Sequence, residues 1–210
     1  MKLVLLCLLV GVIPAAGDPK VAALPPIVLY TQFQQEPPSD VMAALQEEVE
    51  SIMAPIGLRF EWRDLNRSRG NEVSAELAVV TVKGRCDVAG LVNRSRVEGP
   101  LGFTHVSDGQ ILPFAEVNCD RVRNFVQGDL LAFHADDREA VFGRALGRVL
   151  AHELYHVFAN TTRHGSGVAK ESYSVRDLLG EDFQFQQRES LMLKSTRARP
   201  PLEEASNPQP

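Results

Sequence analysis

The run His152-Glu153-Leu154-Tyr155-His156 sets two imidazoles four residues apart with a carboxylate beside the first, and His164 follows eight positions after the second. On an α-helix, a spacing of four is one turn along the axis and about 40° around it, so both rings can reach one ion. Imidazole is a good ligand for zinc, which polarises a carbonyl and brings the pKa of bound water near neutrality. Glu153 lies next to such an ion, free to act as a base. Three histidines and one glutamate are therefore the candidates for metal-assisted hydrolysis, with Zn2+ as the cofactor.

Several elements must position these groups. A long helix is expected to start at Asp136 or Asp137, with Glu139 completing a capping box. Val141, Ala145 and Val149 share a face with His152 and His156, which puts the site on the buried side of the helix. Ala145-Leu146-Gly147 predicts tight packing beneath it. Asn160 is the natural C-cap, since asparagine tolerates the left-handed conformation. Thr161, Thr162 and Arg163 then form a turn able to deliver His164, and Gly165 and Gly167 let the chain reverse. A short helix is expected from Ser174, capped with Asp177, and a further helical stretch over 182–194.

Upstream, Ile27-Val28-Leu29-Tyr30-Thr31 reads as a strand, and Pro37-Pro38-Ser39-Asp40 leads into a helix with Ser39 as its N-cap. Val41, Leu45, Val49, Ile52 and Ile56 form the buried stripe of that helix, and Gly57 is its left-handed cap. Strands follow at 58–62 and 77–82, with a polar turn over 66–71 between them. Residues 101–106 and 111–117 read as a strand pair joined by Ser107-Asp108-Gly109, with Cys119 closing the second strand.

The composition is that of a globular chain: 210 residues, 44% hydrophobic and 23% charged. A net charge of -5 with no basic block argues against nucleic acid as a partner. Met1-Lys2, the apolar run over 3–13 and Ala15-Ala16-Gly17 have the order of a secretory signal peptide, residues 1–17. No later segment has the length of a membrane span. The expectation is a secreted or periplasmic monomer, with a catalytic unit over 18–198 and a disordered tail over 199–210. Cys7 leaves with the signal, so Cys86 and Cys119 remain as an even pair where disulfides persist, and a bridge is expected. It would contribute about 3–4 kcal/mol.

The His-Glu-x-x-His run, a helix-ending residue, a third histidine on a short loop and a tight turn together resemble the metzincin zinc metalloproteases. The resemblance covers most of the mature chain in element order and is greatest to exported bacterial zincins that place their third histidine eight residues after the second. It implies an α+β fold: a twisted, mostly parallel mixed sheet with an antiparallel edge strand, packed on two long helices, plus a C-terminal helix. It also implies an endopeptidase in which His152, His156 and His164 hold zinc, Glu153 is the general base and the substrate is a protein or peptide. Residues 101–106 become the edge strand that aligns an extended substrate, with Leu101, Gly102, Phe103 and Thr104 as its substrate-binding residues, and Tyr173 a residue near the specificity pocket, with oxyanion stabilisation as its lesser role. Common metzincins have a spacing of six, which here falls on Thr162, and Ala169 stands where the family carries a supporting methionine.

Other readings stay open. His164 also reads as a solvated loop histidine, with Glu171 as the rival third ligand. His134 reads as a loop residue, and His105 as a strand residue able to face the cleft. The chain as a whole could be a degenerate zincin that binds metal or peptide without turnover, or a non-enzymatic secreted interaction domain.

Overall fold

The computed structural model describes residues 25–92 and 98–197, so the expected signal peptide and tail lie outside the described residues. A five-stranded sheet has the order β2-β1-β3-β5-β4, with β1 (Ile27–Phe33), β2 (Phe60–Asp64), β3 (Leu77–Lys83), β4 (Gly102–Ser107) and β5 (Gln110–Asn118). All neighbours run parallel except β4, which pairs antiparallel with β5 at one edge. The expected α+β architecture is the one observed. Ile27 to Thr31 are buried in succession, as suits a central strand of a parallel sheet. Asp108 and Gly109 take φ of 51° and 76°, the two left-handed positions that a two-residue hairpin loop needs to match strand twist.

The sheet packs on α1 (Ser39–Met53) and α3 (Arg138–Ala159), with α2 (Cys119–Leu130), α4 (Val175–Leu179) and α5 (Gln187–Arg197) around them. Val41, Leu45, Val49 and Ile52 are buried, as their spacing requires. Helix α3 is buried over most of its length, because α1 comes down on it at two glycines. An added Cβ at Gly143 would stand 2.3 Å from the Val41 carbonyl oxygen, and at Gly147 2.8 Å from that of Leu45. Between the two helices lies Arg148, only 2% exposed. Its Nε donates to Glu48 Oε1 at 2.6 Å, its Nη1 donates to the Asp177 carbonyl at 2.8 Å, and the guanidinium stands 5.0 Å from the Phe183 ring centroid. One side chain thus ties α1, α3 and the α4 region together.

Cys86 and Cys119 form the expected disulfide, which joins the segment after β3 to the start of α2. Other expectations need correcting. Cys119 does not merely close a strand: it opens α2, which is capped by Asn118 accepting from the Arg121 amide at 3.0 Å. Ser39 is not an N-cap, because Pro38, held extended, accepts the first helical bond from Met42, and the Ser39 hydroxyl bonds Asp40 instead. No capping box forms at the start of α3. A tight turn over Ala135–Asp137 already has helical geometry there, and Arg138 instead donates to the carbonyls of Leu131 and Phe133. The last helix begins at Gln187 and not at 182, because Phe185 bridges Gly167 as extended chain. Among the described residues, no helix is long and apolar enough to cross a membrane.

Gly143→Ala tests the α1–α3 contact by sign. Helix propensity alone would make the alanine stabilising by about 1 kcal/mol. Contact with the Val41 backbone predicts instead a loss of about 1–3 kcal/mol, read as a lower denaturant midpoint at unchanged slope. A raised midpoint would mean that the two helices have slack between them.

Candidate metal centre and cleft

The last two turns of α3 bring His152 and His156 together, with their Nε2 atoms 3.1 Å apart. Each ring turns its other nitrogen outward: Nδ1 of His152 lies 2.8 Å from the Val168 carbonyl, and Nδ1 of His156 lies 2.7 Å from that of Thr161. A carbonyl can only accept, so both Nδ1 atoms carry the hydrogen and both Nε2 atoms present a lone pair inward. Burial, reinforced by the neighbouring histidines, pushes His152 down to about 4, and burial lowers His156 as well. Both rings are therefore neutral at pH 7, the form that ligates metals.

Asn160 ends α3 in the left-handed conformation, with φ of 46° and ψ of 54°, and the Thr161 amide returns to the His156 carbonyl at 3.2 Å. The turn delivers His164. Its ring is 5.4 Å from that of His152 and 4.9 Å from that of His156, and the three potential ligand atoms lie within 4.8 Å of one another. Glu171 lines the same cleft but stands outside this group.

The segment after His164 is held by its own backbone. Gly165 N–H bonds the Ala169 carbonyl at 2.7 Å and Ala169 N–H bonds Ser166 at 3.1 Å, while Gly167 takes φ of 59°. Ala169 is fully buried and offers only a methyl where the resemblance places methionine. A larger ring stands close by: Tyr173 lies edge-on to His152 at 5.4 Å, its hydroxyl 2.8 Å from the same Nδ1 and donating to the Val168 carbonyl. Burial, with the charges of Glu153 and Asp177, pushes the Tyr173 hydroxyl further up, so it acts as a donor.

Glu153 is only 5% exposed, and burial pushes its carboxyl up to about 7, against the lowering effect of a hydrogen bond from Thr104. That bond runs from Oγ1 to Oε2 at 2.8 Å. The cleft over these groups measures about 560 Å³, and Leu101, Gly102, Phe103, Thr104 and Tyr173 all line it. Phe125 of α2 lines it too. Sequence reasoning missed that residue because it missed α2, although Cys119, Val122, Val126 and Leu130 recur at helical spacing. His105 does not face the cleft. Its ring packs between Phe103, at 4.6 Å, and Phe114, at 6.4 Å. His134 is an exposed loop residue ahead of the turn into α3.

No protein-family model matches the chain, and no curated protein matches it. Among solved structures it is similar to the crystal structure of archaemetzincin from Methanopyrus kandleri. The identity is 14% and the TM-score 0.48, over 87% of this chain and 99% of that one. A likeness of this degree assigns neither metal nor activity to this chain.

The expected capping box at α4 is present and fixes the chain directly after Tyr173. Asp177 accepts from the Ser174 amide at 2.8 Å, Ser174 Oγ accepts from the Asp177 amide at 3.3 Å, and Lys170 Nζ reaches Asp177 at 2.6 Å. Partial burial opposes the charge on Asp177, but the bonds from Lys170 and Ser174 outweigh it and bring the group from 3.8 down to about 2. A carboxylate depressed on folding stabilises fully above its unfolded pKa and loses that contribution as pH falls through the folded one. Asp177→Asn should therefore cost about 0.5–2 kcal/mol near neutrality, with the gap to wild type closing between pH 3.8 and about 2. Urea denaturation of both proteins at the two ends of that range measures it, and a gap that ignores pH would count against the charge.

Proposed function

We propose that this chain is an exported zinc-dependent endopeptidase of the zincin type. What chiefly supports the reading is the pair of inward Nε2 lone pairs, 3.1 Å apart, with His164 completing a set of three nitrogens. Two such lone pairs repel each other unless a cation sits between them. Tetrahedral ligation at the usual zinc–nitrogen length separates neighbouring nitrogens by about 3.3 Å. The outward hydrogen bonds to Val168 and Thr161 are those that orient metal-binding histidines elsewhere. The donor set therefore fits zinc, with His152, His156 and His164 as its ligands.

Bound there, zinc would polarise the scissile carbonyl and make water a nucleophile near neutral pH. Glu153 takes the proton of the attacking water and passes it to the departing amine nitrogen, a task suited to a carboxyl with a pKa near 7. Among the described residues, strand β4 lies at the sheet edge with β5 as its one partner, and its outer backbone groups would pair with an extended peptide. Tyr173 holds the Val168 carbonyl that orients His152, and its ring forms part of the cleft wall. The apolar start of the chain, residues 1–17, directs it out of the cytoplasm, and the mature protein acts as a monomer.

The mature chain from Asp18 is expected to take up one zinc ion per molecule, and His152→Ala or His164→Ala to lose most of it by elemental analysis. Against a peptide library the wild type should cleave. Glu153→Gln should keep the metal and lower kcat by about 10²–10⁴-fold. Failure to take up zinc after reconstitution would sink the reading and favour an interaction domain. Zinc without any cleavage would leave a metal-binding protein, the alternative to which Ala169 and the longer loop to His164 point.

A further inference from the structure

We propose that Gly102 and Thr104 form a seat on β4 for the Glu153 carboxylate, with Thr104 as a positioning residue for proton transfer. The inference rests on Glu153 being the base proposed above. Alternation along a strand puts residues two apart on the same side, and here both meet Glu153. Thr104 Oγ1 reaches Oε2 at 2.8 Å. At Gly102 there is no side chain, and an added Cβ would stand 3.0 Å from Oε1, 3.0 Å from Val149 Cγ1 and 2.8 Å from the Glu116 carbonyl oxygen. One carboxylate oxygen thus needs the absence of a side chain at Gly102, and the other takes the Thr104 hydroxyl.

The hydroxyl has a second acceptor in reach, the Glu153 carbonyl at 3.0 Å. Its one proton is shared between the carboxylate, at the shorter distance, and the carbonyl. A carboxyl that has taken a proton can donate it to Oγ1 while the hydroxyl turns to the carbonyl. Thr104 therefore holds the group in place both before and after proton uptake. The bond to the carbonyl alone would join β4 to α3; the bond to Oε2 is the one that sets the carboxylate.

Three variants of the zinc-loaded mature chain test this. Thr104→Val keeps shape and removes the hydroxyl, Thr104→Ser restores the hydroxyl, and Gly102→Ala crowds Oε1. Removing an outer partner of this kind typically lowers activity about 10–100-fold, so Thr104→Val and Gly102→Ala should lose kcat on that scale. KM should stay within about threefold, since the loss lies in the transition state. Zinc content should match wild type in all three; melting temperature should match it in the two Thr104 variants and fall in Gly102→Ala, whose Cβ meets the Glu116 backbone, and Thr104→Ser should recover most of the kcat.

A readout independent of turnover is the affinity for acetohydroxamic acid, whose oxygens ligate zinc while its proton passes to an adjacent carboxylate. Thr104→Val should weaken that affinity by about tenfold, with no further weakening in a Glu153→Gln background. Unchanged hydroxamate affinity and unchanged kcat in Thr104→Val would overturn the seat while leaving the peptidase reading intact. If wild type binds zinc and hydroxamate but cleaves nothing, the peptidase reading fails, and the hydroxamate series still decides the seat. Should Thr104→Val unfold, the same comparison is made with Thr104→Ala, which also lacks the hydroxyl.

Discussion

Gly143 and Gly147, one turn apart on α3, let the backbone of α1 rest directly on it, and the position of the groups that α3 carries into the cleft follows from that contact. A helix held only by side chains can slide or roll by fractions of an ångström as they repack. Contact between a helix backbone and a neighbour's carbonyls leaves much less freedom. Arg148 then closes the contact with charge. Burying a guanidinium is costly, and here the bonds to Glu48 and to the Asp177 carbonyl, with Phe183 beneath, offset that cost. His152 lies one turn beyond Arg148 on the same helix. The rotation of α3 that fixes Arg148 therefore also fixes where the imidazoles point.

The opposite end of the site is built differently. His164 sits on a loop and is exposed, so no core packing sets its place. Backbone hydrogen bonds take over that role. The Thr161 carbonyl orients His156, and the Thr161 amide closes the helix end, so the two residues by which this loop exceeds the common spacing extend a turn that already serves a ligand. Beneath the histidines, the Val168 carbonyl accepts from both His152 and Tyr173. The contacts beneath His152 are thus a carbonyl and a phenol. Ala169 beside them is fully buried, and its carbonyl anchors Gly165.

What could be read from the residues alone divides along the range of the interactions. The stripe of α1, the hairpin at Asp108-Gly109, the Asn160 cap and the Ser174–Asp177 box are all local, set within a few residues, and all are present. The three histidines were legible too, since two depend on one helical turn and the third on one loop. Arg148 was not, because its carboxylate partner lies 100 residues away. Thr104 was read as a residue that touches substrate, and its bond to Glu153 spans 49 residues. Ser39 and Asp137 had the right types for caps. Neither caps its helix: Pro38 occupies the cap position before Ser39, and a tight turn already makes Asp137 helical. Helix α2 was overlooked for its charged sequence, while its apolar positions keep helical spacing.

Strand β4 carries a conflict that the proposed reading resolves. An edge strand with Phe103 at 39% exposure and Val106 at 49%, beside Phe114 at 43%, invites pairing with other chains. Proteins commonly blunt such edges with charge, proline or a covering element. Here the ladder with β5 shifts register between Thr104 and Val106, which bends the strand and shortens its regular edge. The part that stays regular is the part over Glu153, where Gly102 and Thr104 face inward to the carboxylate. The inner face of that stretch is thus committed to Glu153, and among the described residues its outer edge has no partner strand. An extended peptide added to that edge would lie beside the same residues that hold Glu153. Substrate alignment and proton transfer would then share one three-residue segment, and displacing the strand would disturb both together.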